Sequence, residues 1–365
     1  MVVVKYELIL DYHKINTIYK KITASTKHKN KLVYFELNKF SNFMNIYDKL
    51  KNKKYVHGHY NIFLIKKPKN RIIMSENLND KIINHLVSTY YLSPIIEPLL
   101  LDENVATRIN KGLDAGINYV KNYLNKERNN LNNLYVLKCD IEKYFYNIDH
   151  QVLIDKLNLI IYDKDILSIV KLIIKSTDED YINYNIDKII NNEKDKIIKS
   201  NRKEKDKIYL INKLDSIPRY IKGKGLPIGN MTSQLLAIYY LNDIDHFIRE
   251  KLGIKYYVRY MDDFILFHHD KNYLKYCKKE IEYELAKIKL KLNKKTCILK
   301  LNSGFVFLGY RFLIKNNRSY ILISKNMKQK IRKRYKKNGI IIFDRYNGYL
   351  KRCNSGSFIY NLINK

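Results

Sequence analysis

The chain lacks most of what membrane, secreted and metal-scaffold proteins need. None of its 365 residues fall in an apolar stretch long enough to cross a bilayer, which argues against a membrane-embedded helix bundle. The run from Met1 to Leu10 is short, apolar and strand-like and is closed by Asp11. It has neither the basic segment nor the cleavage site of a signal peptide. Cysteine is scarce: Cys139, Cys277, Cys297 and Cys353 form no CxxC pair, and their spacing fits neither a zinc site nor a disulfide framework. They read as reduced thiols of a cytoplasmic protein. There is no histidine cluster to argue for zinc and no repeat of solenoid length. Acidic residues are outnumbered, 36 against 69 lysines and arginines, for a net charge of +33. Such an excess predicts a polyanionic partner, nucleic acid before an anionic membrane. The accompanying wealth of lysine, asparagine, isoleucine and tyrosine fits an AT-rich genome, so composition accounts for part of the charge. Core material is plentiful, with 46% hydrophobic and 13% aromatic residues. Wholesale disorder is therefore excluded, and the length suits one large folding unit or about two to three medium ones.

The most telling segment is Tyr260-Met261-Asp262-Asp263, set between the apolar runs Tyr256-Tyr257-Val258 and Phe264-Ile265-Leu266-Phe267. The pattern predicts two strands folding back on each other with the aspartates at the bend. Taken alone, the tetrapeptide also describes a polar turn, since aspartate favours turns. Adjacent carboxylates repel, and a site that keeps both ionised usually holds divalent cations. A second apolar run, Leu134-Tyr135-Val136-Leu137-Lys138-Cys139-Asp140, reads as a buried strand ending on a third carboxylate. If these strands are neighbours, Asp140, Asp262 and Asp263 converge at one edge of a sheet, as two-metal phosphoryl transfer requires.

Elsewhere, Ile62 to Ile65 and Ile72 to Met74 flank the basic turn Lys66-Lys67-Pro68-Lys69-Asn70-Arg71, which predicts a hairpin. A helix should follow, with Ile82, Ile83, Leu86 and Tyr90 on one face. Ser176 to Asn212 alternates Lys, Asp, Asn and Ile and reads as a solvated helical insertion. The loop Gly223-Lys224-Gly225-Leu226-Pro227-Ile228-Gly229 leads into a helix beginning near Ser233. Another helix carries Leu274, Cys277, Ile281, Leu285 and Ile288, and two short strands follow, the second being Phe305 to Tyr310. That order implies an antiparallel sheet backed by helices, an α+β arrangement. The tail from Met327 predicts a basic helix.

Lys138-Cys139-Asp140-Ile141-Glu142-Lys143-Tyr144-Phe145-Tyr146-Asn147-Ile148-Asp149-His150 resembles the first catalytic motif of reverse transcriptases. Gly225 to Gln234 resembles their template- and nucleotide-facing loop, and Tyr260 to Asp263 their second catalytic motif. Lys295-Thr296 sits where their lysine-bearing motif falls, and Phe307-Leu308-Gly309-Tyr310 resembles the primer-gripping hairpin. The five motifs occur in order over roughly Ile62 to Phe312, which makes the chain similar to bacterial reverse transcriptases of the group II intron and retron superfamily. The resemblance implies a right-hand polymerase fold with fingers, a ferredoxin-like palm and a short helical thumb. It would divide the chain into an N-terminal segment and fingers (1–131), a first part of the palm (132–160), a charged insertion (161–222), a second part of the palm (223–312) and a basic thumb (313–365). It further implies a bacterial or phage-encoded, cytoplasmic RNA-directed DNA polymerase with no membrane partner. Such an enzyme takes deoxynucleoside triphosphates, an RNA template, a DNA or RNA primer, and two Mg²⁺ ions with Mn²⁺ as their substitute.

By the same resemblance, Asp140, Asp262 and Asp263 are catalytic, and with Ile141 they form the metal-binding set. Lys295 donates a proton to departing pyrophosphate, or is a solvated helix-end lysine. Lys67 and Arg71 clamp the triphosphate, with Lys66 and Lys69 as competitors. Phe145 is the steric gate against a ribose 2′-hydroxyl, or a core phenylalanine. Ile228 and Gly229 face the nucleotide, and Arg108, Ser233, Gln234, Tyr260, Leu308 and Gly309 face template and primer. The basic tail helix would lie along the duplex minor groove, in a salt-sensitive contact. Most bacterial relatives carry Gln-Gly, three residues, then Ser-Pro in the loop, whereas this chain has Ile228-Gly229-Asn230-Met231-Thr232-Ser233-Gln234. That substitution, with Leu241 to Phe247, resembles the diversity-generating-retroelement type. It implies error-prone synthesis and an accessory protein or structured non-coding RNA as partner. A defence-associated reverse transcriptase, making templated or untemplated DNA against phage, is the alternative. A non-catalytic nucleic-acid-binding scaffold is the rival from another class; the intact Asp140, Asp262 and Asp263 argue against it.

Overall fold

The structure, a computed structural model, describes residues 5–26, 29–128, 131–315 and 318–364. The chain forms two compact units, each assembled from separate stretches. The first comprises Met1–Leu100, Lys143–Leu241 and Ile288–Leu290, and the second Leu101–Glu142, Asn242–Lys287 and Lys291–Lys365.

In the first unit, β1 (Asn61–Ile65) and β2 (Arg71–Ser75) form the expected antiparallel hairpin, with Ile65 opposite Arg71. Alternation sends Ile72 and Met74 to one side, where both are fully buried. What covers them corrects the reading of the charged stretch as a solvated insertion. It is helical, as Asp180–Ile198 and Glu204–Asp215, but Ile182, Ile186 and Ile190 are buried in one core with Ile72, Met74, Leu214 and Tyr220. A spacing of four residues places the isoleucines on one helix face and leaves the charges to the other. A second correction concerns the helix after the hairpin. Asn77 caps its start by accepting from the Asp80 amide, and Leu78–Leu86 is α-helical, but Val87–Leu92 is a π-helical turn. The wider turn advances the face by about one residue, so Tyr91 is buried where the α period predicted Tyr90. Tyr6–Ile9 is a 3₁₀ turn rather than a strand, and Asp11 ends it by capping the helix Tyr12–Ser25. Residues 1–4 of that expected strand lie outside the described residues.

The second unit is built on four antiparallel strands: β3 (Tyr135–Asp140), β4 (Tyr256–Tyr260), β5 (Asp263–His268) and β6 (Cys297–Lys300), in the order β4-β5-β3-β6. This is ferredoxin-like order, with helix Lys271–Lys287 joining β5 to β6 and packing on β3 and β5. Val136, Val258, Ile265 and Phe267 point to the other face, into a core with Phe305, Phe307, Tyr310 and Phe312. Burying each such side chain contributes about 1.5–3 kcal/mol. Phe305 to Tyr310 is not one strand. β7 (Phe305–Phe307) turns at Leu308-Gly309 into β8 (Tyr310–Lys315), which pairs with β9 (Arg318–Ile323). Both turn residues have positive φ, 51° and 84°, and the strand cannot run through them. Beyond β9, helices Lys325–Asn338, Ile342–Leu350 and Gly356–Ile363 share a small core of Ile331, Ile342, Tyr346, Leu350 and Phe358.

The buried isoleucines give a direct check. Ile186→Ala should cost about 2–4 kcal/mol in urea denaturation, whereas Lys188→Ala on the same helix should stay within about 0.5 kcal/mol. Equal small effects would restore the solvated-insertion reading.

Candidate active site

Pairing of β3 with β5 sets Asp140 directly opposite Asp263, and pairing of β4 with β5 sets Tyr260 opposite Asp263 from the other side. Directly opposed residues on one sheet face have Cβ atoms about 4.5–5.5 Å apart, so the two carboxyls stand side by side. Met261 and Asp262 are the two central residues of the hairpin turn. Met261 has φ +57°, a left-handed conformation that costs a non-glycine residue on the order of 1 kcal/mol. Burial, with the charges of Asp140 and Asp262, pushes the Asp263 carboxyl up to about 6 against the opposing pull of Lys138. Lys138 Nζ lies 3.3 Å from Asp263 Oδ2 and donates to the Val306 carbonyl at 2.7 Å. The other carboxylate oxygen, Asp263 Oδ1, is buried with no hydrogen-bond partner.

An orphaned carboxylate oxygen beside two further carboxyls suits a hard divalent cation. Ile141 has a buried side chain and can offer only its main-chain carbonyl. It bridges Leu292, flanked by bonds from Glu142 N to Lys291 O (3.0 Å) and Asn293 N to Asp140 O (2.7 Å). In that pattern the central residue's own carbonyl faces away from the partner segment. Among the described residues no group of three or more His, Cys, Asp or Glu side chains closes into a metal cage. The carboxyls would be a partial donor set, of the kind a hard divalent cation completes with waters. The turn bearing Lys295 lies against the same strand end, because Asp140 N donates to Thr296 Oγ1 at 3.4 Å; the Lys295 side chain is exposed.

Tyr260 is half-buried against the apolar core below the carboxyls. The Leu308-Gly309 turn is held in place: Tyr349 stacks on Tyr310 at 4.3 Å and donates to the Gly309 carbonyl at 2.5 Å. Leu308 also packs so closely on Gly116 that a Cβ there would sit 2.5 Å from its Cδ1. Arg108 gives its Nη1 to the carbonyls of Leu101 (2.7 Å) and Asn104 (3.0 Å), so it shapes its own loop.

The first unit holds the other predicted residues. Lys143, with φ +45°, reverses the chain before the short helix Tyr144–Asn147. Tyr144 fills the core and donates to the Ala237 carbonyl, while Phe145 beside it stays half-exposed. The Phe145 carbonyl accepts from Leu226 N at 2.7 Å and so joins this helix to the glycine loop. Ile228 is half-buried, and its carbonyl accepts from Met74 N at 2.9 Å. Gly229 is exposed with φ +139°, and a Cβ there would lie 2.6 Å from the Met74 carbonyl oxygen, so only glycine fits. Lys66 is ion-paired with Glu193, whereas Lys67, Lys69 and Arg71 are exposed. The charge of Arg71 reaches Tyr146, one residue past Phe145. Helix Met231–Tyr240 starts two residues earlier than expected. It buries Ser233 completely, which corrects the placing of Ser233 against template or primer; Gln234 stays half-exposed. Lys138 escaped the sequence reading, although the two-residue period of β3 puts it on the same face as Asp140.

An antiparallel sheet of ferredoxin-like order with paired aspartates at a hairpin tip is the arrangement of the right-hand polymerase fold. The reverse transcriptase (RNA-dependent DNA polymerase) family matches residues 44–312, and the chain belongs to it. No curated protein matches its sequence. Among solved structures it is similar to a telomerase from Candida albicans in complex with a TWJ fragment of telomeric RNA. The identity is 15%, over 79% of this chain and 50% of that one, with a TM-score of 0.43. It is also similar to the apo telomerase from Candida tropicalis, at 16% identity over 73% and 49%, with a TM-score of 0.43. The chain thus spans about half the length of these telomerases.

Because the folded chain favours neutral Asp263, the metal-free protein should lose stability as pH rises from about 4 through about 6. The deficit should persist above that range. Asp263→Asn removes it: in urea at pH 8 with chelator, the variant should be more stable than wild type by about 1 kcal/mol, and the gain should vanish near pH 4. A pH-independent difference would remove the electrostatic account of this carboxyl.

Proposed function

We propose that this chain is an RNA-directed DNA polymerase of the error-prone, diversity-generating type. The observation that carries the reading is the register that sets Asp140 against Asp263 with Asp262 in the adjoining turn. In a reverse transcriptase chain, that trio is the expected seat of nucleotidyl transfer. Two Mg²⁺ ions, or Mn²⁺ in their place, bound to these carboxylates and the Ile141 carbonyl would activate the primer 3′-hydroxyl and neutralise the triphosphate. Lys138 offsets part of the negative charge that the three carboxyls bring together. Lys295 would supply a proton to leaving pyrophosphate, a role its exposed side chain permits.

The half-exposed ring of Phe145 supports its role as the gate against a 2′-hydroxyl, since Tyr144 already fills the core position. Lys67 and Arg71 are the better triphosphate clamp, because Lys66 is engaged by Glu193. Arginine adds a bidentate fork to the mobile charge of lysine. Ile228 can form no side-chain hydrogen bond to a base pair, so a polar check on the nucleotide is missing. Gly229 leaves its backbone open to close approach. These features favour low fidelity, and the RNA template, the primer and an accessory protein or structured RNA are the partners of this reading.

Primer extension on an RNA template with magnesium tests it, with the product sequenced. Wild type should make template-dependent DNA with errors concentrated opposite adenines, and Asp262→Ala/Asp263→Ala should make none. Ile228→Gln should lower the error rate several-fold, the worth of about one recovered hydrogen bond; an unchanged error spectrum would remove the diversity-generating assignment. Phe145→Ala should let ribonucleotides in, and equal ribonucleotide exclusion by wild type and variant would return Phe145 to a packing role. DNA made without template would favour the defence-associated alternative, and no DNA at all the scaffold.

A further inference from the structure

Arg259 is 1% exposed and Asp245 is 0% exposed, a fully buried ion pair on the sheet face opposite the carboxyls. Arg259 Nε donates to Asp245 Oδ1 at 2.6 Å and Nη2 to Oδ2 at 2.5 Å, a two-pronged contact. Tyr257 adds a third bond, its hydroxyl donating to Asp245 Oδ1 at 2.5 Å. The Arg259 backbone is pinned too: its N donates to Glu103 O and its O accepts from Val105 N, both at 3.0 Å.

Stability alone is a weak reason for such a pair, because an apolar pair of matched volume is often at least as stable. An apolar pair cannot make a further contact, in which Arg259 Nη1 donates to the Met261 carbonyl at 2.9 Å. Met261 is the left-handed residue of the turn, next to Asp262 and Asp263. A strained conformation persists only where its surroundings hold it. Arg259 supplies that hold, and Asp245 aims Arg259.

We propose that Arg259, oriented by Asp245, is a positioning residue that fixes the Met261 carbonyl and thereby the directions of the Asp262 and Asp263 carboxylates. The inference rests on the polymerase reading above. It assigns to a buried pair, with no part in the chemistry, the presetting of the metal-binding turn.

The test uses the full chain on a primed RNA template and compares wild type, Arg259→Lys and the paired variant Arg259→Met/Asp245→Leu. Melting temperature, primer-template affinity, nucleotide KM, kcat and half-saturating Mg²⁺ are read for each. The paired variant should melt within a few degrees of wild type and bind primer-template and nucleotide within about threefold. Its kcat should fall about 10- to 100-fold, the size expected for one lost charge-assisted hydrogen bond, and its Mg²⁺ requirement should rise. A folded paired variant with kcat and Mg²⁺ dependence within twofold of wild type would show the pair to be packing only and overturn the proposal. Should the paired variant not fold, Arg259→Lys decides, because an ammonium cannot reach Asp245 and the Met261 carbonyl at once as the fork does. Wild-type kcat in the lysine variant overturns the proposal, and the same 10- to 100-fold loss with nucleotide KM unchanged supports it. A wild type that makes no DNA while these proteins remain folded would instead sink the polymerase reading, and this inference with it.

Discussion

Everything at the candidate site depends on holding like charges together. Asp140 and Asp263 face each other across β3 and β5, and Asp262 joins them from the turn. Left to themselves, these carboxyls would separate. They are kept in place because the same two strands carry Val136, Leu137 and Cys139 opposite Phe267, Leu266 and Phe264, all buried. A slip of one residue would part the carboxyls and also turn each apolar side chain to the wrong face. Burial on both faces of the sheet therefore enforces a register that electrostatics opposes. The residual strain is visible as an Asp263 carboxyl pushed above the usual carboxylate range, with an orphaned oxygen, and relieved in part by Lys138. Such a centre is poised to take up positive charge.

The same logic of rigid support recurs in the first unit. The glycine loop is anchored through its backbone, with Ile228 bonded to Met74 on β2 and Leu226 bonded to Phe145. Asn230, fully buried, donates to the Tyr60 hydroxyl at 3.0 Å, and Tyr60 in turn meets Ser176 at 2.8 Å. Thr232 Oγ1 donates to Asn84 Oδ1 at 2.6 Å. Every second or third residue of the loop is thus tied down, while Ile228 and Gly229 keep part of their surface in solvent. A loop held by buried polar bonds can present one apolar side chain and one bare backbone in a fixed pose, because breaking any of those bonds would strand a desolvated polar group.

Much of this was legible in the sequence because it rests on local rules. Short apolar runs marked β3, β4 and β5, and three- and four-residue spacing marked helix Lys271–Lys287. Adjacent aspartates between apolar runs marked the turn. The misreadings came where a distant partner or a non-standard turn decided the outcome. The charged stretch looked solvated because its isoleucines are sparse, and only the hairpin packed against it makes them core. The π turn at Val87–Leu92 shifted a buried tyrosine by one place, and no composition rule signals that insertion. Ser233 looked like a surface contact in a motif, yet the helix that carries it is buried nearly all round.

The sequence by itself determined the identities and order of the chemical groups: three carboxylates, a lysine near the end of the motif series, an isoleucine where relatives carry glutamine, and a strongly basic net charge. These are properties of residue type and spacing, and the chain alone carries them. Tertiary structure decided which of those groups stand together and in what state. Only strand pairing brings Asp140, 123 positions from Asp263, to its side. Only burial raises the Asp263 carboxyl, and only packing brings Arg259, Asp245 and the Met261 carbonyl within hydrogen-bond reach. Charge repulsion, desolvation and hydrogen bonding depend on distance and surroundings, and those exist only once the chain has folded.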